Sequence, residues 1–595
     1  MNTLLQNKFI RLIIPVCAIL IFLSCQKDIS NEDGLNPGQV ADLTTKVNSS
    51  VSGFVTDENN LAVLGANVSV GGTNVTTDKF GYFQVKNVMV VKNAAMVTVT
   101  NPGYFKGIKT YIATENKAAF FRIKLIPKTN SGTINAASGG SVTLSNGLIV
   151  ALPANAVITV GSGTAYTGTV SVAAHWLDPV ASDLNETMPG DLRGIGTDGT
   201  LKTLTTYGMA AVELTGASGE LLQIAAGKKA TLTLTIPASI MASAPSTIPL
   251  WSFDETNGLW KQDGEATKTG NTYVGEVSHF SFWNCDVPAN YVQFNCTIKD
   301  QAGNPIPYSW VRISVVGTSS AAYGFTDSSG YVAGAVPGNA QLLMEVFTYY
   351  NCGVPVYSQN FSTTNVNISL GTILVPNTSS IATISGTVTD CSNNPVTNGR
   401  IIVQQNGGYY YNIYPVSNTG AFSFTILLCN GNGAVTIVAE DMAAGQQSNS
   451  VPVTLVAGAN VLGNLQACGI TTQEFINFSI DGGTTTTSLT PPADSVYHSG
   501  NGSTTQSMIY GYSPGNPNSE ISFSFNNTAI GVGTTQTLLS FYSIGTGQGT
   551  TTGTVTITEY GAVGQFISGN FTGVLVNTIP ASYNISGSFR VRRNF

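Results

Sequence analysis

Few side chains in this chain of 595 residues are spaced to do chemistry. The three histidines, His175, His279 and His498, lie far apart, and no HExxH motif brings two of them to one metal. His279, beside Phe280 and Trp283, reads as a hydrogen-bonded core residue. No GxSxG sequence sits between a strand and a helix, as a serine hydrolase requires. Gly545-Thr546-Gly547-Gln548-Gly549 has the glycines of a phosphate loop, but no Lys-Ser or Lys-Thr follows, so it reads as a hairpin loop. Asp254 and Glu255 are loose candidates for glycoside hydrolysis, which draws two acids from distant strands. Beside Trp251 and Trp260 they read as a turn. Asp57, Asp78, Asp300 and Asp327 suit a hard cation such as calcium, yet turn formation alone explains them. No cofactor and no resident metal are expected. The stronger hint is binding. Tyr409, Tyr411 and Tyr414 fall on a strand-like run with Asn412, and Tyr349 repeats the theme beside Asn351. Exposed rings with amides nearby suit stacking on a sugar or a protein partner.

Cys25 has a different chemistry. It closes Phe22-Leu23-Ser24-Cys25, after an apolar run from Leu12 to Leu23 preceded by Lys8 and Arg11. The run is short of the roughly 20 residues of a stable span, so it reads as a processing segment. The pattern resembles a bacterial lipoprotein signal. That resemblance implies diacylglyceryl transfer to the Cys25 thiol, cleavage before it and a membrane partner through the lipid, since two or three acyl chains hold firmly. Gln26-Lys27-Asp28 resembles the export signal of Bacteroidota-type surface lipoproteins, which implies an outer-membrane, surface-exposed location. Residues 25–49 are too polar to fold alone and read as a flexible tether, averaging about 25 Å end to end.

The rest must be positioned by strands. Charged residues are 10% of the chain and glycines number 64. β-branched residues suit pleated surfaces, and Gly, Asn and Ser suit turns. No segment sustains a helical apolar period. The fold class expected is all-β, as tandem β-sandwiches. The formal charge of −7 excludes nucleic acid as a partner on electrostatic grounds. Besides Cys17 and Cys25 the cysteines are Cys285, Cys296, Cys352, Cys391, Cys429 and Cys468. An oxidising compartment favours disulfides. Cys296 with Cys352 would close within one domain, and two of Cys391, Cys429 and Cys468 within the next.

A unit recurs three times: Gly53-Phe54-Val55-Thr56-Asp57 with Thr77-Asp78-Lys79-Phe80-Gly81-Tyr82-Phe83; Cys296-Thr297-Ile298-Lys299-Asp300 with Thr326-Asp327-Ser328-Ser329-Gly330-Tyr331; and Gly386-Thr387-Val388-Thr389-Asp390 with Gly420-Ala421-Phe422. A half-buried strand, an Asp turn, a returning strand and a Gly turn before an aromatic make one module. These units resemble the carboxypeptidase regulatory-like family, which implies a transthyretin-like sandwich without catalysis, serving as support, spacer or ligand binder, sometimes for carbohydrate. The boundaries expected are 1–24 signal, 25–49 tether, 50–128 first regulatory-like domain, 129–288 a separate β-sandwich block, 289–376 and 377–469 two further regulatory-like or immunoglobulin-like domains, and 470–595 a C-terminal β-domain. The 129–288 block, with Gly139-Gly140, Val150-Ala151-Leu152-Pro153 and Leu250-Trp251-Ser252-Phe253-Asp254, is similar to the module of ankyrins and astroprincin-type surface proteins. The reading is a non-catalytic, lipid-anchored string of β-domains at the cell surface, offering a binding face to a glycan or a surface protein. The alternatives are an accessory subunit of an outer-membrane uptake complex and a glycosidase-class enzyme.

Overall fold

The computed structural model describes residues 39–593, apart from 319, 348–352, 377–379, 406–410, 429–432, 473, 481–486, 491–493, 501–505, 514–515, 545, 548, 562–565 and 578–581. The chain is all-β: among the described residues, helix is confined to Leu184–Thr187 and a 3-10 turn at Met241–Ser243.

The three repeats share one topology. In the first, Lys46–Thr56 pairs antiparallel with Tyr82–Val91 and parallel with Ala118–Lys124, and a second sheet of four strands packs against these three. In the third module, Phe282–Lys299 pairs antiparallel with Tyr331–Pro337 and parallel with Ile368–Leu374. In the fourth, Ile381–Thr389 does the same with Ala421–Leu427 and Gly458–Gln466.

The turn chemistry explains the recurrence. Asp57, Asp78, Asp300, Asp327 and Asp390 each accept backbone N–H bonds from the turn that follows, at 2.7–3.0 Å. The fourth module lacks an Asp before its second turn, and Ser417 stands in, its hydroxyl accepting from Thr419 N and Ala421 N. Gly81, Gly330 and Gly420 then take φ of +70°, +78° and +74°. A Cβ at these three would collide with the carbonyls of Val55, Ile298 and Val388 in turn, so both conformation and space demand glycine.

The second block is a larger, mostly antiparallel assembly around Leu201–Thr215, with Trp251, Trp260 and Trp283 fully buried. Its last strand, Phe282–Lys299, is 18 residues long and continues without a break into the third module's sheet. The C-terminal domain is a nine-stranded antiparallel sheet with Thr487–Leu489 and Ser495–Gly500 at its edges and Phe475–Ile480 paired with Ser582–Arg592, curled around Phe523, Phe525, Phe571 and Phe589.

These modules do not stand as a string. Phe54 and Phe120 of the first, Tyr308 of the third and the core of the fourth form one apolar cluster. At that junction the first module's turn inserts charge into the fourth. Arg400 reaches Asp78 at 2.8 Å and Glu440 at 2.6 Å, and Lys79 reaches Glu440 and the Gln447 side-chain Oε1 at 2.8 Å each. Lys79 and Glu440 are buried, with side chains 7% and 5% exposed. Burial by itself would raise the Glu440 carboxyl, but Arg400 and Lys79 outweigh it and hold Glu440 at about 2.

Part of the stretch expected to be a flexible tether is also seated. Leu201 donates its N–H to Gln39 O at 2.7 Å, Val40 bridges Thr200, Ala41 and Leu43 pack beside Ile112 and Leu259, and a strand begins at Lys46.

Candidate binding cleft

Tyr414 lies inside the fourth module, 4% exposed and stacked on Phe424 with ring centroids 3.7 Å apart. This corrects the expectation that it faces a ligand: its ring fills the core that the first and third modules share. Tyr411 packs on Phe80 of the first module at 4.9 Å, so it serves a contact between modules. Tyr349, Tyr409 and Cys25 lie outside the described residues.

Cys391 and Cys468 form a disulfide that closes the fourth module. Cys296 is a buried free thiol in the third module's core, which corrects the pairing expected with Cys352; Cys352 and Cys429 lie outside the described residues. Burial pushes the Cys296 thiol up to about 12, leaving it inert at neutral pH. Among the described residues no group of three or more His, Cys, Asp or Glu side chains is arranged to hold a metal. Asp254 accepts from Thr256 N and Asn257 N and is a turn residue. His279 packs against Trp283, whose indole donates to its carbonyl.

A more open arrangement of rings and charges occurs where the first module, the second block and the C-terminal domain meet. A cleft of about 630 Å³ is lined by Tyr104, Lys106 and Lys128 from the first module and its exit, Glu213 and Glu255 from the second block, and Tyr512 from the C-terminal domain. Local sequence sets each position. Asn101-Pro102-Gly103-Tyr104 is a turn, closed by Tyr104 N to Asn101 O, with Gly103 at φ +82°, and Lys128 N donates to Gly103 O. Tyr104 donates its hydroxyl to Glu58 at 3.2 Å; burial first, and then the carboxylates of Glu58 and Asp57, push its phenol up to about 12, so it stays a neutral donor. Tyr512 ends a row on one sheet face, after Tyr497 of the neighbouring strand and Tyr510 of its own, and is 38% exposed. Two half-exposed ion pairs flank the rings, Lys106–Glu255 at 2.5 Å and Lys128–Glu213 at 3.0 Å.

Such a cleft offers flat apolar faces beside groups that both donate and accept. A pyranose needs that combination, because one side of the ring is C–H and its rim is hydroxyl. Apart from Glu255, sequence reasoning missed these residues as a site. Nothing local marks Tyr512 or Glu213, since chain segments far apart bring them together.

No protein-family model matches the chain. Cartilage intermediate layer protein 2 of Homo sapiens is 30% identical over 156 residues, 24% of this chain and 13% of that protein. The Mus musculus protein of that name is 28% identical over 159 residues, 25% of this chain and again 13% of its own length. The chain therefore spans a small part of these curated relatives. Among solved structures, a streptococcal ancillary pilin aligns at 11% identity and TM-score 0.14, covering 39% of this chain and 95% of that one. BcpA, the major pilin subunit of Bacillus cereus, aligns at 10% identity and TM-score 0.13, over 71% of this chain and 99% of that one. A putative carbohydrate binding protein from Bacteroides uniformis aligns at 11% identity and TM-score 0.12, over 36% and 98%. At these TM-scores none of the three bears on function, and the all-β class rests on this chain's own sheets.

Proposed function

We propose that this protein is a non-catalytic, lipid-anchored surface protein whose β-modules form one rigid head and present the Tyr104–Tyr512 cleft to a glycan or a polypeptide. The observation that carries the reading is the cleft itself, with ring faces and paired charges from three parts of the chain. The anchor rests on the Cys25 pattern and is tested by fatty-acid labelling, which Cys25→Ala abolishes.

Binding is tested on the full-length chain carrying Cys25→Ala, screened on a glycan array and a peptide library. Tyr512→Ala removes a stacking face worth about 1 kcal/mol and weakens the recognised ligand five- to tenfold. Unchanged profiles for both Tyr512→Ala and Tyr104→Ala refute the cleft. Two glutamates in one cleft favour glycoside hydrolysis as a second reading, although each is engaged by a lysine. Release of reducing ends from a bound glycan would establish it; the expected result is binding without turnover.

A further inference from the structure

The third module leaves open space beside one inner-face position, Gly334. Val311 and Ile313 from one sheet face Phe294, Val332 and Val336 from the other. Side chains alternate along Tyr331–Pro337, so Gly334 falls on the inner face between Val332 and Val336. A Cβ built at Gly334 meets no atom within 4 Å, and its φ is outside the left-handed region, so neither space nor conformation calls for glycine there. Close approach of a ligand is one of the reasons a strand interior carries glycine.

The space at Gly334 belongs to a cavity of about 410 Å³ that the third module shares with the first module and the second block, within the range of small-molecule sites. Entry breaks no sheet. Ala321–Phe325 and Tyr331–Pro337 are edge strands on either side of the opening, and small residues such as Ala322 and Ala333 line it. Val180 and Tyr323, 46% and 41% exposed, lie at its rim.

The opposite wall is polar. Arg193 donates from Nε to Asp191 at 2.8 Å and from Nη1 to Asn93 O. Lys109 is folded onto the carbonyls of Asn185 and Met188 at 2.7 Å each, and Arg122 donates to Tyr411 O and the Asn412 side chain. Most N–H groups of these cations are thus engaged, but Arg193 Nη2 and Asp191 Oδ1 are buried without a hydrogen-bond partner, while Thr203 and Thr205 add hydroxyls. A carboxylate head could accept from Arg193 but not donate to Asp191, and an uncharged hydroxylated head can do both.

We propose that the third module holds a single-chain amphiphile, with its alkyl chain between the two sheets beside Gly334 and an uncharged, hydroxyl-bearing head against the Asp191–Arg193 wall. This site is separate from the cleft and does not depend on it. The full-length chain with Cys25→Ala, purified without detergent, is titrated with monolauroylglycerol and with laurate below their micellar concentrations, by calorimetry. Saturable binding of monolauroylglycerol, at least fivefold tighter than laurate, is expected. Gly334→Leu fills the empty space and lowers that affinity at least tenfold with unchanged circular dichroism, whereas Tyr512→Ala leaves it unchanged. If Gly334→Leu does not fold, Gly334→Val makes the same test. Absence of saturable binding, unchanged affinity in the folded glycine variant, or tighter binding of laurate overturns the proposal.

Discussion

Replacing Glu440 by Gln tests whether the modules are locked together. Glu440 is the shared acceptor of Arg400 and Lys79 across the contact between the first and fourth modules. A carboxyl held at about 2 instead of its ordinary 4.5 contributes about 3 kcal/mol to the folded state at neutral pH. Breaking a buried pair by removing one partner costs a similar amount, about 3–5 kcal/mol, because the cations stay buried. The folded-state value lies below the unfolded one. The contribution is therefore complete above about pH 4.5 and is lost as pH falls through about 2. Hydrogen exchange of the full-length chain, corrected for intrinsic rates, reads this at the two strands flanking the cluster, Tyr82–Val91 and Gly399–Gln405. Glu440→Gln lowers their protection about a hundredfold at pH 7, and the deficit shrinks toward pH 2. A change below about fivefold at pH 7, as a surface pair gives, or a deficit constant down to pH 2, would refute the lock.

Cys391→Ser opens a disulfide across a sequence separation of 77 residues and costs up to about 4.5 kcal/mol by loop entropy, seen as a loss of protection confined to the fourth module. Gly53→Ala drives a Cβ into the Phe121 carbonyl and the Phe83 ring, and destabilises the first module by about 3 kcal/mol in denaturant titration. Glu186 is 1% exposed, and burial pushes its carboxyl up to about 7 against the pull of Arg122 and Lys109. Its folded value exceeds the unfolded one, so stability falls as pH rises from about 4.5 to 7; Glu186→Gln is more stable than the parent at pH 8 and no different below pH 4.5.

Where a structural decision is local, the chain's own letters carry it. The Asp turns, the glycines at 81, 330 and 420 and the alternating strands were readable because each depends on a few neighbouring residues: a side-chain acceptor, a positive φ, a period of two. They determined the all-β class and the repeated module. Packing between modules was not readable. Tyr411 and Tyr414 have the composition of a binding strand, and only the arrival of Phe80 and Phe424 turned them into contact and core. The cleft at Tyr104 and Tyr512, the ion cluster at Glu440 and the void at Gly334 arise from surfaces hundreds of residues apart. Their partners are chosen by burial and charge complementarity in three dimensions, which no local spacing encodes.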